Sequence, residues 1–232
     1  MNKQIKFIDL GVMDYKDAWD YQQNLFDEIV EIKKKNRKNN SELITPNYFL
    51  FVEHPHVYTI GKSGNMSNLL IDENQLKSKN ASFYKINRGG DITYHGPGQI
   101  VGYPILDLEN FFTDIHKYLR LLEETVINTL KIYGVEGERN SGKTGVWLEV
   151  ESPFPRKICA MGVRASRWVT MHGFALNVDV NLDYFNNIIP CGLANNIVTS
   201  LNKELGDDHI NINKVKDDFK TSFSKSFKSE FI

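Results

Sequence analysis

Arg88-Gly-Gly-Asp-Ile-Thr-Tyr-His-Gly-Pro-Gly-Gln99 is the stretch from which the architecture and the binding site of this chain are most directly predicted. It places four glycines beside an arginine, a histidine and a glutamine. Glycine allows a backbone to adopt positive φ or to approach a ligand closely, and polar side chains held between glycines can point at that ligand. Strand-like runs flank the stretch at residues 83–86 and 100–106. We therefore interpret residues 88–99 as a binding loop between strands, because a hairpin without function needs only one or two glycines.

Outside this loop, apolar periodicity predicts a mixture of helices and strands. Helices are predicted at residues 14–32, at 114–133 and near the C-terminus, where Val215, Phe219, Phe223 and Phe227 recur at every fourth position. Strands are predicted at residues 48–52, 56–60, 145–150, 158–163, 168–171 and 174–180. The charged run at 33–40 is expected to be a solvated loop that ends the first helix. Because regular βαβ alternation is missing, we expect an α/β (mixed α+β) fold, a mixed β-sheet flanked by helices, in a single domain over residues 1–232.

The composition excludes several classes of protein. The formal net charge is −1, so no global charge drives binding to nucleic acid or to a membrane. No apolar run approaches the roughly 18 residues of a membrane span, and no apolar signal region follows the first residues. Two cysteines without a secretion signal indicate reduced thiols and a cytoplasmic protein. The local cluster of Arg156, Lys157, Arg164 and Arg167 could face an acidic partner or consist of ordinary solvated charges.

Residues 137–144, Gly-Glu-Arg-Asn-Ser-Gly-Lys-Thr, match the phosphate-binding pattern GxxxxGK[ST]. That pattern holds phosphate only where it opens a helix, whose first backbone N–H groups bind the anion. Here Gly145 follows at once, and residues 146–150 have strand propensity. We therefore interpret the match as a coincidental loop between a helix and a strand.

Two residues could carry nucleophilic chemistry. Cys191 lies between Pro190 and Gly192, which places it at an accessible turn, whereas Cys159 lies in an apolar strand and is expected to be a small buried hydrophobe. A nucleophilic cysteine must be a thiolate, and a nearby cation lowers its pKa from the usual value of about 8.5. Lys157 begins the strand that carries Cys159 and is a candidate for that cation. The alternatives are a structural cysteine and an exposed lysine at a strand end.

The histidines leave their roles open. His172 precedes Gly173 and could position a substrate or be a satisfied core histidine. His54 and His56 flank Pro55 and resemble half of a metal site. No cysteine, aspartate or glutamate stands at a suitable spacing, so we assign no metal.

Several ordered motifs together resemble the signature of the lipoyl(octanoyl) transferases. These are residues 88–99, Tyr103-Pro-Ile-Leu-Asp-Leu108, Lys143-Thr-Gly-Val-Trp147, Lys157-Ile-Cys-Ala-Met-Gly162, Met171-His-Gly-Phe-Ala-Leu-Asn177 and Pro190-Cys-Gly192. The resemblance covers roughly residues 45–195. It implies the catalytic fold of biotin and lipoate protein ligases.

The resemblance also implies a reaction. An octanoyl group would pass from octanoyl-acyl carrier protein to a lysine on a lipoyl domain of a 2-oxoacid dehydrogenase or on the glycine cleavage H protein, without a cofactor and in a monomer. It assigns the acyl-carrying cysteine to Cys191 and the lysine that lowers its pKa to Lys157. The substrate-binding residues it implies are Arg88, Gly89, Gly90, Asp91, Ile92, Thr93, Tyr94, His95, Ala160, Met161, Gly162, Gly173, Phe174 and Ala175.

Two other functions fit parts of this pattern. An ATP-dependent lipoate-protein ligase shares the fold, and the match at residues 137–144 superficially favours it. A non-catalytic module that binds acyl carrier protein or lipoyl domains would need no cysteine nucleophile. A nucleic-acid-binding protein built on residues 33–38 has little support, because the net charge is near zero and no aromatic residues are interleaved with that run.

Overall fold

A large mixed β-sheet and a smaller three-stranded sheet form the frame of the molecule, which we describe from a computed structural model covering residues 1–189, 197–206 and 210–232. The strands are β1 (Gln4–Val12), β2 (Tyr48–Glu53), β3 (Val57–Ile60), β4 (Ser82–Lys85), β5 (Ile92–His95), β6 (Gln99–Ile105), β7 (Glu138–Asn140), β8 (Lys143–Leu148), β9 (Arg156–Ser166), β10 (Val169–Asn177), β11 (Ile197–Val198) and β12 (Glu230–Phe231). The α-helices are α1 (Tyr15–Asn39), α2 (Glu73–Ser78), α3 (Ile115–Ile132), α4 (Leu201–Leu205) and α5 (Ile212–Phe227).

The strand order of the large sheet in the described residues is β12-β1-β2-β6-β10-β9-β8-β7, and β11 pairs with β9. Its central pairs, β2 with β6, β6 with β10 and β10 with β9, are antiparallel, whereas β1 and β2 are parallel. The small sheet has the order β4-β3-β5. The expected α/β fold with a mixed sheet is confirmed.

Helices cover both faces of the large sheet because its central strands are apolar on both faces. Phe49 and Phe51 of β2 pack with α3 and α5, and the Phe49 and Phe223 ring centroids lie 5.0 Å apart. Leu50 and Val52, which alternate with them, pack against α1. The apolar spacing that predicted the C-terminal helix therefore marks the face of α5 that closes one side of the core.

The first helix is longer than expected. The charged run at residues 33–40 was predicted to be a loop, but α1 continues to Asn39. Lysine and arginine are good helix formers, and cations near a helix C-terminus interact favourably with the helix dipole. Lys33 is nearly buried and pairs with Asp107 and Glu109. The helix ends only at Asn40, which adopts φ 48° in the left-handed region.

Three strand predictions also need correction. Residues 92–95, predicted as part of a loop, form β5, which pairs with β3. Residues 168–171 and 174–180, predicted as two strands, are largely one strand, β10, which ends at Asn177. Gly173 lies within β10 and does not interrupt it. A glycine is required there because a Cβ would lie 2.1 Å from the Gly102 carbonyl oxygen of the neighbouring strand β6. The predicted strand at 145–150 begins at Lys143 and ends at Leu148.

Two further features bear on the sequence interpretation. Residues 137–144 belong to the hairpin of β7 and β8, so a strand follows the phosphate-loop match, as expected. Within the described ranges, no helix combines the length and the apolar character needed to cross a membrane.

The loop at residues 88–91 docks directly on β9. The Gly89 N–H donates to the Val163 carbonyl at 2.9 Å, and the Lys62 N–H donates to the Arg88 carbonyl at 3.0 Å. A Cβ at Gly162 would lie 2.8 Å from the Gly89 carbonyl oxygen, whereas a Cβ at Gly89 would lie 3.4 Å from the Val163 carbonyl oxygen. The close approach therefore depends on Gly162 more than on Gly89.

We expect Gly162→Ala to lower the free energy of unfolding by on the order of 1–3 kcal/mol, because a backbone must move to admit the methyl group. Gly89→Ala is the matched control and should change it by less than about 0.5 kcal/mol. Urea unfolding of the two variants measures both values. Equal effects at the two glycines would contradict this account of the docking.

Candidate active site

A cavity of about 730 Å³ opens between the large sheet and residues 88–95. Part of its wall is a patch of four small residues on β9 and β10, where Ala160 lies opposite Ala175 and Gly162 lies opposite Gly173. Residues paired across antiparallel strands share one face of the sheet. We call these four residues the small-residue floor. None of the four puts a bulky side chain into the cavity.

The structure places nearly all described site candidates on this cavity. The candidates that line it are Lys157, residues 88–93 and His95 of the loop, residues 160–162 of β9 and residues 173–175 of β10. Tyr94 does not: its hydroxyl bonds His56 Nδ1 at 2.7 Å, and its ring packs between Tyr58 and Tyr184. Side chains alternate along β5, so Tyr94 points away from the cavity that Thr93 and His95 line. Cys191 lies in residues 190–196, outside the described residues.

Arg88 anchors the loop from beneath. Its side chain is 7% exposed, and its Nη2 donates to the carbonyl and to the hydroxyl of Thr59, both at 2.9 Å. Its Nη1 donates to the Gly89 carbonyl at 3.0 Å. The guanidinium therefore ties the loop to β3 and places a positive charge in the cavity wall.

Lys157 lies where β9 meets β8 and β11. Its Nζ is 4.5 Å from the centroid of the buried Trp147 ring, a cation–π distance. Its carbonyl accepts the Thr199 N–H at 3.0 Å. The chain thus returns after the 190–196 segment directly beside Lys157.

Two of the other basic residues of that cluster have internal partners. Arg156 pairs with Glu149 and with Glu204. Arg164 donates to Gln23 Oε1 and lies over the Phe26 ring. For these two arginines the structure favours a role in packing over one in partner binding.

Buried histidines surround the inner part of the cavity and are neutral. Burial lowers the pKa of His54 to about 4, and burial together with the Arg88 charge lowers the pKa of His95 and of His172 to about 3 each. His54 Nδ1 donates to the Met13 carbonyl at 2.8 Å, so its Nε2 accepts from the Tyr103 hydroxyl at 2.8 Å. His172 lines the cavity, is 1% exposed and places Nε2 2.9 Å from Asn87 Oδ1.

His54 and His56, the pair that resembles half of a metal site, make contacts that explain them without a metal. Both ring nitrogens of His54 have hydrogen-bond partners, and the His56 ring stacks on Tyr184 with centroids 4.1 Å apart. In residues 1–189, 197–206 and 210–232, no group of three or more potential ligand side chains could hold a metal ion. Cys159 is fully buried, as expected, and burial raises the pKa of its thiol.

Sequence reasoning missed several residues of the cavity wall. Gln99, Tyr103, Lys143 and Asn177 stood inside the motifs but were not assigned to the site, although their place beside the assigned residues was a usable signal. Tyr15 of α1 also lines the cavity. No sequence feature pointed to Tyr15 as a site residue, because its spacing in α1 is that of any residue on a buried helix face.

The neutral histidines predict how stability depends on pH. An unfolded histidine takes up a proton near pH 6.5, whereas buried His95 stays neutral to about pH 3. The unfolded state binds more protons in that window, so acidification destabilises the fold by about 1.4 kcal/mol per pH unit for each such histidine. His95→Gln should reduce the slope of unfolding free energy against pH by this amount between about pH 6 and pH 4. His116→Gln, on the exposed face of α3, is the control; an equal slope in both variants would refute the prediction.

Comparisons with known proteins agree on one family. Residues 14–224 match the lipoyl protein ligase A/B catalytic domain. The chain is 66% identical to an octanoyltransferase of Christiangramia forsetii, over 99% of this chain and 98% of the relative. Its fold is similar to that of a bipartite lipoate protein ligase from Thermoplasma acidophilum, with a TM-score of 0.68, 15% identity and coverage of 100% of this chain and 88% of that one.

A biotin protein ligase from Aquifex aeolicus also shares the fold, with a TM-score of 0.53, 13% identity and coverage of 96% of this chain and 70% of that one. At these identities the two solved structures show the fold alone. The domain match and the identity to an octanoyltransferase along nearly the whole chain show more: the protein is an acyltransferase and belongs to the lipoyl(octanoyl) transferase family.

Proposed function

We propose that this enzyme moves an octanoyl group from octanoyl-acyl carrier protein to a specific lysine of a lipoyl domain, through a thioester on Cys191. The observation that carries the proposal is the small-residue floor, which runs along β9 and β10 toward Lys157. A cavity of about 730 Å³ is in the size range of small-molecule sites. The alanines and glycines put neither a bulky nor a charged side chain into this part of the cavity wall, which suits an unbranched acyl chain better than a polar one.

Two groups supply the chemistry of the first step. The Cys191 thiolate attacks the carbonyl carbon of the donor thioester, a new C–S bond forms, and the bond to the phosphopantetheine sulfur breaks. The Lys157 ammonium stabilises the thiolate beforehand and then gives its proton to the departing sulfur. Backbone N–H groups near Gly162 or Gly192 are candidates to bind the tetrahedral oxyanion.

The second step restores both groups. The neutral amine of the acceptor lysine attacks the Cys191 thioester, and the C–S bond breaks to leave the amide and a thiolate. Neutral Lys157 takes the proton that the amine loses. The thioester is already activated, so the cycle needs no ATP and no cofactor.

The described residues on both sides of the 190–196 segment support the assignment of the thioester to Cys191. Before the segment, the Ile189 N–H donates to the Asn68 carbonyl at 2.8 Å. After it, β11 pairs with Arg156 and Lys157.

The partners we propose are acyl carrier protein and the lipoyl domains of 2-oxoacid dehydrogenases and the glycine cleavage H protein. We also propose a monomer that acts in the cytoplasm.

The direct test is to incubate the protein with octanoyl-acyl carrier protein without ATP and to follow it by intact mass and peptide mapping. An octanoyl adduct on Cys191 should form and should disappear when a lipoyl domain is added. Cys191→Ser should abolish the adduct, whereas Cys159→Ser, the matched control, should retain it. Transfer that requires ATP and free octanoate would move the protein to the ligase branch, and partner binding without transfer would make it a binding module.

Substitutions of Lys157 should separate its two roles. Lys157→Met removes the cation, so the pKa of the Cys191 thiol, read from the pH dependence of iodoacetamide alkylation, should rise toward about 8.5. Lys157→Arg keeps the charge but neither gives up nor takes up a proton, so the lowered pKa of the Cys191 thiol should persist while transfer to the lipoyl domain falls by at least about 100-fold. Alkylation profiles identical in the wild type and in Lys157→Met would show that Lys157 does not act on the thiol.

A further inference from the structure

A buried chain of hydrogen bonds connects the loop to the Lys157 strand. His95 Nδ1 lies 2.8 Å from Gln99 Oε1, and Gln99 Nε2 donates to Asn177 Oδ1 at 2.8 Å. Asn177 Nδ2 donates to the Thr199 carbonyl at 2.9 Å, and the Thr199 N–H donates to the Lys157 carbonyl at 3.0 Å. The chain spans β5, β6 and β10 and reaches the residue that follows β11.

Its direction is fixed from one end. A backbone carbonyl can only accept, so Asn177 must point its NH₂ group at Thr199 and its oxygen at Gln99. Gln99 then points its NH₂ at Asn177, and at the Tyr94 carbonyl 3.3 Å away, which leaves its oxygen to accept from His95. The bond on one ring nitrogen decides which nitrogen holds the proton. Neutral His95 therefore carries hydrogen on Nδ1 and a lone pair on Nε2.

The surroundings of His95 favour that uncharged form. Its ring stacks on Tyr15 of α1 with centroids 5.9 Å apart and lies 5.9 Å from the neutral His54 ring. Arg88 and His172 both act to lower its pKa, in addition to burial. His95, Gln99 and Asn177 all line the cavity and are each less than 8% exposed.

We propose that Gln99 and Asn177 are positioning residues that hold His95 as the Nδ1-protonated neutral imidazole, so that its Nε2 accepts an N–H of the attacking lysine. This inference rests on the proposed octanoyl transfer. The hydrogen bond aligns the amine lone pair with the thioester carbonyl, which is the geometry that attack requires. No bond to His95 forms or breaks, and the proton of the amine still passes to Lys157. The first step has no amine nucleophile, so it does not use the network.

The test combines the tautomer of His95 with the two half-reactions. In ¹⁵N-labelled protein, the Nδ1 and Nε2 shifts of His95, assigned by their loss in His95→Gln, should show hydrogen on Nδ1 only. Gln99→Met removes the acceptor, so Nε2–H should appear and transfer from octanoyl-loaded enzyme to a lipoyl domain should slow by about tenfold or more. Loading from octanoyl-acyl carrier protein should change by less than about threefold. Gln99→Glu keeps an oxygen at that position and should retain the Nδ1 proton.

The matched control is Asn47→Leu. Asn47 is 1% exposed and bonds the Asn2 and Gln4 carbonyls and the Asp107 N–H, but it does not line the cavity. It should lower stability and leave both the tautomer and the transfer rate unchanged.

The inference is overturned if wild-type His95 carries hydrogen on Nε2, a result that needs no variant to fold. It is also overturned if Gln99→Met moves the proton and leaves transfer at the wild-type rate. Failure of the proposed function looks different, because wild-type protein would then transfer no octanoyl group. The shifts of His95 in that same sample still decide whether the network holds its tautomer.

Discussion

The close docking of the glycine loop on β9 is the contact on which the rest of the site depends. The Gly89 N–H bonds the Val163 carbonyl, and the missing side chain of Gly162 allows the two backbones to approach. This contact places the loop beside the small-residue floor, where both line the same cavity. Arg88 holds the loop from the other direction through Thr59. The glycines thus serve backbone packing at least as much as ligand approach.

Burial gives the cavity its chemical character. Three neutral histidines line or support a site whose wall carries the charged residues Arg88, Asp91, Lys143 and Lys157. In such an environment charges act strongly, because little water screens them. A single lysine can then shift a thiol toward thiolate, and neutral imidazoles can accept hydrogen bonds without competing for protons. In the proposed mechanism, the apolar part of β9 and β10 holds the acyl chain and the end at Lys157 moves protons.

The sequence predicted the parts of this structure that local pattern controls. The spacing of Phe219 and Phe223 predicted α5, because this helix buries one periodic face. The apolar run at 48–52 predicted β2, because this strand is apolar on both faces. The extension of α1 could not be predicted, because Lys33 is held by Asp107 and Glu109, far away in the chain.

The candidate site divides in the same way. The motif residues could be predicted to form a site because glycines and polar side chains stood where packing did not require them. The structure places most of them on one cavity. The outward direction of Tyr94 depends on the pairing of β5 with β3, which no local pattern in the loop indicated. The contribution of Tyr15 depends on how α1 packs against the sheet, and that packing is set by tertiary contacts alone. The order of hydrogen bonds from Asn177 to His95 likewise requires three strands, β5, β6 and β10, to lie in the right relative positions.

The measurement that tests this account most directly is a crystal structure of the enzyme trapped with its octanoyl group. The account predicts a thioester on Cys191 and an acyl chain that lies along Ala160, Gly162, Gly173 and Ala175 beneath residues 88–95, with Lys157 at its carbonyl end. An acyl chain bound elsewhere would contradict it. An acyl chain in this cavity with its carbonyl end at Tyr15 and His172 would contradict it as well.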